Sequence, residues 1–516
     1  MTSGSNTKTA AQRAGGNPWV VVFAVGLGQF MVVLDISILT IALPTIAEKL
    51  DASLAGVEWT LIAYTLALTG LVPVFGRVSD VLGRKRLFII GVLAFAGASL
   101  LASFSISILW LIGARVLQAF GGALITSNVL AIITDIFPAG ERGAAMGAQT
   151  ILISGGAAIG PTLGGFLVTH FGWQSVFLIN VPVGVIAGLL AWRILPPLQD
   201  NRTMEPVDWM GAGLLMTGTA MLLLGLTKAP DWGWASVGVV GLLLGGLVVA
   251  MLFVLREQRA RYPLVDLSLF KIREFVTGQT AGVFATIAMA TVMLLFPFYW
   301  QTVRGYSAET AGLLLFPLPV TLMFVAPTTG WLSDKVGARG LTTTGLGIVI
   351  IALIVMSQIT ATMAVWDVLW RVMVLGVGLG TFLPPNNNSV MSSVPPDKRG
   401  IGAGLLGMFR YGGQSIGVAF AGTTFAAFAT SGLISLHTLP SPAEMAALGT
   451  DPVTRTAVAT AFTNGMRAAA LLAIPLAAIG MGLSFVRGKK PSEHVHAQVV
   501  SDGGRPSFDL PQGDHS

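Results

Sequence analysis

The chain contains no cysteine in 516 residues, which excludes disulfides, a thiolate nucleophile and cysteine-ligated metals. Histidine is nearly as scarce: His170, His437, His494, His496 and His515 are scattered, with three of the five near the C-terminus, so no metal site is legible. No Gly-x-x-x-x-Gly-Lys-Ser/Thr run occurs, which excludes a P-loop nucleotide motor. Charge is the third shortage. Only 10% of residues are charged and 53% are hydrophobic, whereas a soluble domain carries about 25% charged residues. Such a composition belongs to a polytopic membrane protein.

Fourteen apolar runs of about 20 residues, the length a bilayer demands, lie between residues 19 and 486. The first follows Pro18. It is too long for a signal-peptide core, contains Asp35 and meets no small-residue cleavage site, so it is expected to be retained as a span. An even number of spans puts both termini on one side. With the termini inside, most of the 30 Lys and Arg fall in cytoplasmic loops, as the positive-inside rule requires. The net charge of +6 is therefore topogenic and indicates no nucleic-acid partner.

The chain also repeats itself. Gly76-Arg-Val-Ser-Asp80-Val-Leu-Gly83-Arg84-Lys85-Arg86 returns in weaker form as Gly330-Trp-Leu-Ser-Asp334-Lys-Val-Gly337-Ala338-Arg339. Arg115 aligns with Arg371, Gly156 and Gly160 with Gly413 and Gly417, and Pro44 with Pro297, all at an offset of roughly 255 residues. Two homologous six-helix bundles are expected at 18–200 and 261–487, joined by a two-helix insertion at 201–260, with cytoplasmic tails at 1–17 and 488–516. The stretch from Ser431 to Gly465 is expected outside. Parallel repeats of this kind are the architecture of transporters that rock one bundle against the other.

At these residues the sequence resembles a known family. Gly76-x-x-x-Asp80-x-x-Gly83-Arg84-Lys85 is similar to the loop signature of the major facilitator superfamily. Leu34-Asp35 through Ala42-Leu43-Pro44 resembles the first-span motif of its drug exporters, and Gly156-x-x-x-Gly160-Pro161-x-x-Gly164-Gly165 the motif of its antiporters. With fourteen spans, the resemblance is to the drug:proton antiporter branch of the EmrB/QacA type. It implies an all-α integral membrane fold, two six-helix bundles plus two extra central helices, in the cytoplasmic membrane. It further implies a monomer that exports lipophilic drugs or antibiotics, cationic ones included, in exchange for protons, with the proton gradient as energy source and no cofactor. A dedicated exporter of one antibiotic, metabolite or lipid fits the same sequence. A non-transporting receptor or integral enzyme has the duplicated motifs and the lack of a catalytic constellation against it.

Asp35 lies about 25 Å along the first span at 1.5 Å per residue, where an acid costs roughly 2.5 to 3.5 kcal/mol. Its repeat counterpart is Ala288, so the symmetry does not require it. The resemblance gives Asp35 and the intramembrane Arg115 a shared role in proton coupling; Glu58, opening the second span, is either a second proton site or a solvated helix end. Asp80 is placed to pair with Arg84 or with a neighbouring helix N-terminus, closing a gate. Asp334 repeats it, but Ala338 replaces the arginine, so a weaker second latch is expected.

Gly156, Gly160 and Gly164 share a helix face, suited either to plain packing or to a bendable contact between the bundles, with Pro161 distorting the ladder and Gly165 beside it. The polar run Pro384-Pro385-Asn386-Asn387-Asn388 is expected to line the translocation path or to end its span early. Gln118 and Arg410 are further candidates for the substrate path. Gly413-Gln-Ser-Ile-Gly417 matches a nucleophile elbow only formally, since it falls inside a span with no histidine nearby.

Overall fold

The computed structural model describes residues 17–52, 54–138, 140–196, 207–306, 308–431 and 452–487. The expected tails, and residues 432–451 of the expected external segment, lie outside the described residues. Sixteen α-helices make up the rest. The N-terminal bundle holds α1 (Pro18–Lys49), α2 (Leu54–Leu82), α3 (Arg84–Ser103), α4 (Ile108–Ile136), α5 (Arg142–Phe171), and the short α6 (Ser175–Leu178) continued by α7 (Asn180–Ile194). A hairpin follows, α8 (Trp209–Trp232) and α9 (Val237–Arg259). The C-terminal bundle holds α10 (Arg273–Phe298), α11 (Ala308–Leu315), α12 (Pro317–Val336), α13 (Ala338–Met356), α14 (Val365–Ser393), α15 (Arg399–Phe428) and α16 (Pro452–Val486).

Thirteen helical stretches are long and apolar enough to cross a membrane, taking α6 with α7 and α11 with α12 as single crossings. α15 makes the fourteenth membrane-length helix. Glycines and polar residues such as Arg410 and Gln414 make it less apolar than the others, and it packs against α2, α4, α8, α10 and α16. α16 begins at Pro452 instead of near residue 467, and Phe462 stacks edge-on against Phe425 of α15 at 4.9 Å. Part of the expected external segment is therefore helix.

Several spans carry proline, whose missing N–H leaves the carbonyl four residues earlier without its helical partner. Hydroxyls from neighbouring helices satisfy two of these carbonyls. Ser37 Oγ on α1 donates to Ala157 O at 3.1 Å, opposite Pro161, and Thr329 Oγ1 on α12 donates to Gly380 O at 2.7 Å, opposite Pro384. This is why α14 stays helical through Pro384-Pro385 to Ser393, against the expectation of an early end.

The hairpin does not stand apart. α8 packs against both α2 and α15, with Met216 against Gly70, and Trp234 Nε1 in the hairpin turn donates to Thr423 Oγ1 of α15 at 2.8 Å.

Candidate functional site

Asp35 is buried within the N-terminal bundle, 2% exposed, and Arg115 on α4 is wholly buried beside it. Arg115 Nη1 meets both Asp35 Oδ2 and Gln118 Oε1. Gln118, three residues on and so on the same face of α4, donates from Nε2 to Asp35 Oδ1 at 2.8 Å and to Ser99 Oγ of α3 at 2.7 Å. Asn180, the first residue of α7, donates from Nδ2 to Asp35 Oδ1 at 2.8 Å. Arg115 Nε donates to Thr60 O at 3.3 Å, and the guanidinium lies 4.1 Å from the centre of the Tyr64 ring.

Desolvating an ion pair this deep is costly, and three donors to one carboxylate plus a stacked aromatic face offset that cost. A neutral pair results.

The sequence singled out Asp35, Arg115 and Gln118, and the structure brings them together. Asn180, Ser99, Tyr64 and Thr60 were missed; their only signal was polarity within apolar runs. Glu58 lies in the first turns of α2, and its side chain is outside the described ones.

A second constellation closes one end of the molecule, where the Gly76–Arg86 loop and the starts of α5 and α15 gather. Asp80, at the last turn of α2, accepts the N–H of Gly400 on Oδ1 at 2.8 Å and that of Ile401 on Oδ2 at 3.0 Å, so it caps the N-terminus of α15 in the opposite bundle. Arg84 clamps Asp80 at 2.6 Å, also meets Asp135, and donates to Pro396 O at 3.2 Å; Arg399 reaches Asp135 at 2.8 Å.

The repeat copy is built alike. Asp334 accepts the N–H groups of Gly143 at 2.9 Å and Ala144 at 3.0 Å, capping α5. Ala338 supplies no clamp; Asn388 Nδ2 on α14 donates to Asp334 Oδ1 at 3.0 Å, a neutral bond where the first latch has an ion pair.

Close approach at both latches depends on glycine. A Cβ on Gly76 would lie 2.3 Å from Gly400 O, and one on Gly143 would lie 2.3 Å from Gly330 O. Gly83, at φ 99°, makes the turn into α3 in a conformation that side-chain-bearing residues avoid.

Of the two roles expected for the antiporter-type glycines, plain packing and a contact between the bundles, the three that share a face take the first. Gly156, Gly160 and Gly164 pack against Phe30, Ser37 and Ile38 of α1, inside one bundle; a Cβ on Gly160 would meet Ser37 at 2.4 Å, whereas one on Gly165 meets nothing within 4 Å. α1 carries Asp35, so this face positions the carboxylate. Pro161 faces Gly312 of α11, across the bundles.

Asn386 is buried and ties α10 to α16, donating to Gly278 O at 3.2 Å and accepting from Arg487 Nη2 at 2.7 Å; Asn387 is half-buried. Arg410 is half-buried and donates to the hydroxyl of adjacent Tyr411 at 3.2 Å. Gly413 and Gly417 lie in α15 against Val283 and Ile287 of α10, a packing role.

Two helical bundles, latched at one end by reciprocal helix caps, with a wholly buried carboxylate–guanidinium pair inside the first, define a membrane transporter. The chain belongs to the Major Facilitator Superfamily, whose model matches residues 25–207 and 209–418. It is 34% identical over 411 residues to a riboflavin transporter, RibZ, of Clostridioides difficile, covering 79% of this chain and 88% of that one. It is 33% identical over 419 residues to the tetracenomycin C resistance and export protein of Streptomyces glaucescens, covering 81% and 78%. In fold it is similar to the human organic anion transporter MFSD10 (TETRAN), with a TM-score of 0.62 at 14% identity, covering 90% of this chain and 99% of that one.

Proposed function

We propose that the protein is a proton-coupled antiporter of the fourteen-helix EmrB/QacA type, exporting lipophilic drugs or antibiotics across the cytoplasmic membrane by alternating access, with both termini inside. The observation that carries this reading is the Asp35–Arg115 pair: a carboxylate whose only charged partner among the described contacts is a fully buried guanidinium, in a bundle whose repeat has alanine at the matching place. Protonation of Asp35 would free the Arg115 charge and shift the balance between the latched state and one open at the latch end. The similarity to a protein named for tetracenomycin C export supports an antibiotic-like substrate. A dedicated exporter of a single metabolite is the second reading, favoured by the similarity to a protein named as a riboflavin transporter.

The test is flux in proteoliposomes under an imposed pH gradient, with lipophilic cations, antibiotics and riboflavin as substrates. Gradient-dependent flux of several unrelated compounds is the expected result. Flux of one compound alone would establish the second reading, and gradient-independent flux would remove proton coupling.

A further inference from the structure

We propose that Asn180 is the protonation-responsive partner of Asp35: its side-chain amide donates to the ionised carboxylate and turns over to accept from the carboxylic acid. This rests on the proposed proton-coupled reading and assigns the residue that makes Asp35 able to take up a proton without leaving it unbonded.

An ionised carboxylate only accepts hydrogen bonds, whereas a protonated one carries an O–H that needs an acceptor when buried. Three groups bond Asp35, and two are unable to provide that acceptor. Arg115 never loses its charge and has no lone pair to offer. It faces Oδ2, so the proton is directed to Oδ1.

Gln118 faces Oδ1 but is locked. Its Oε1 already accepts from Arg115, and its Nε2 also donates to Ser99 Oγ at 2.7 Å. Ser99 in turn spends its own proton on Phe95 O at 2.8 Å, so turning Gln118 over would break the bonds to Arg115 and Ser99 and set two acceptors face to face. Tyr64 presents its ring to the guanidinium, and its hydroxyl abuts Gly122, seven residues beyond Arg115 on α4.

Of the three groups bonded to Asp35, Asn180 alone is free to respond. Its Nδ2 donates to Asp35 Oδ1 at 2.8 Å, and its Oδ1, fully buried, has no hydrogen-bond partner. A buried polar group left unsatisfied costs on the order of 1–3 kcal/mol; once Asp35 is protonated, a half-turn of the side chain lets the amide oxygen accept the new O–H, the amide nitrogen becoming the unpartnered group in its place, so the acid gains an acceptor with no further group left unbonded. The proton enters from the side of higher proton potential, sits on Oδ1 of Asp35 and leaves to the other side; Asn180 holds it and is itself unchanged. The position suits the task. Ile179 interrupts the helix between α6 and α7, so Asn180 stands at a helix start instead of in mid-helix.

The charged and titratable groups around Asp35 are few. α4 presents Arg115 and α2 presents Tyr64, with Glu58 two residues before Thr60. α5 has only Arg142 and His170, at its two ends, and meets α1 beside Asp35 through Gly156 and Gly160. α6 has none, α7 has only Arg193 near its far end, α3 faces the cluster through Ser99, and Glu48 and Lys49 close α1.

The experiment is the pH profile of gradient-driven flux in proteoliposomes, for wild type, Asn180→Leu, Asn180→Ser and Asn180→Asp. Leucine removes both bonds. The bond to the ionised form is charge-assisted and roughly twice as strong as the bond to the neutral form, so the midpoint should rise by about one pH unit. Serine both donates and accepts, and should return the midpoint to within a few tenths of a unit of wild type. Aspartate at 180, sharing one proton with Asp35, should raise the midpoint further than leucine does.

Lowered flux with an unmoved midpoint in the leucine and aspartate variants would overturn the proposal and leave Asn180 a packing residue. Should the leucine variant fail to reach the membrane, the near-isosteric aspartate variant decides alone. Asp35→Asn separates the two levels. Retained gradient coupling there defeats the proton-coupled reading itself, whereas lost coupling together with wild-type midpoints in all Asn180 variants defeats only the inference about Asn180.

Discussion

Asp80 and Asp334, one from each repeat, each cap the first turn of a helix in the opposite bundle, Asp80 bonding Gly400 N at 2.8 Å and Asp334 bonding Gly143 N at 2.9 Å. Closure of this end therefore rests on two carboxylates meeting two helix N-termini, where negative charge is favoured.

Asp80→Asn should weaken that closure by about 1–3 kcal/mol, a shift of roughly tenfold to a hundredfold between states. Drug efflux should fall while the protein stays in the membrane. The absence of native cysteine makes the check direct: a Val78→Cys probe, buried in the latched state, should react faster with a thiol reagent in the Asp80→Asn background. Equal reactivity in both backgrounds would dissociate the cap from the closure.

At the second latch, Asn388→Ala removes the amide that stands in for the missing arginine. Efflux should drop several-fold, less than for Asp80→Asn, because a neutral amide bond is weaker than a clamped ion pair. Ala338→Arg in the same background should restore much of the loss, since it rebuilds the pattern of Arg84 around Asp80. A double variant no better than Asn388→Ala would show that position 338 is unable to reach Asp334.

Glycine replacements divide by location. Gly400→Ala sets a methyl 2.3 Å from Gly76 O, backbone that is unable to yield, and should abolish closure and transport. Gly165→Ala meets nothing within 4 Å and should be neutral in the same efflux assay. Gly160→Ala should displace Ser37, two residues from Asp35, and so disturb the carboxylate instead of the interface between bundles.

Arg115→Lys keeps the charge and should still lose at least tenfold in gradient-driven flux. A lysine has no planar fork with which to serve Asp35, Gln118 and Thr60 together while lying on the Tyr64 ring. Wild-type flux in that variant would reduce the role of Arg115 to charge alone.

Asp266, outside the spans, pairs with Lys398, joining the segment before α10 to the one between α14 and α15. Partial burial pushes its carboxyl up, but hydrogen bonds from Lys398 and Ser268 outweigh that and hold it at about 2. A carboxyl held below its unfolded value near 3.9 contributes stability that is full above that value and is lost as pH falls toward 2. The pair is half-exposed and is worth at most about 1 kcal/mol. Asp266→Asn should therefore leave the pH profile of transport between 5 and 8 unchanged, and should narrow the stability gap to wild type, measured by thermal unfolding in detergent, only below pH 4.

The spans, the repeat and the latch carboxylates were legible because membrane length, positive-inside charge and a duplicated loop all leave linear traces. Asp35, Arg115 and Gln118 were legible because charge or polarity inside a span is expensive and so conspicuous. Asn180 was not: one amide at a span's start looks like a helix end until α7 is seen to fold against α1. The role of Asn388 was hidden for a related reason, since it meets Asp334 from a different helix. Pro384-Pro385 misled because the hydroxyl that satisfies Gly380 O sits on Thr329, 51 residues away in sequence.

The hairpin of α8 and α9 sets the two seams between the bundles apart. α8 lies along both α2 and α15, the two helices of one of the two seams between the bundles. The other seam, α5 against α12, has no such cover among the described helices. The two seams therefore differ in their surroundings, one lying behind α8 and the other without it.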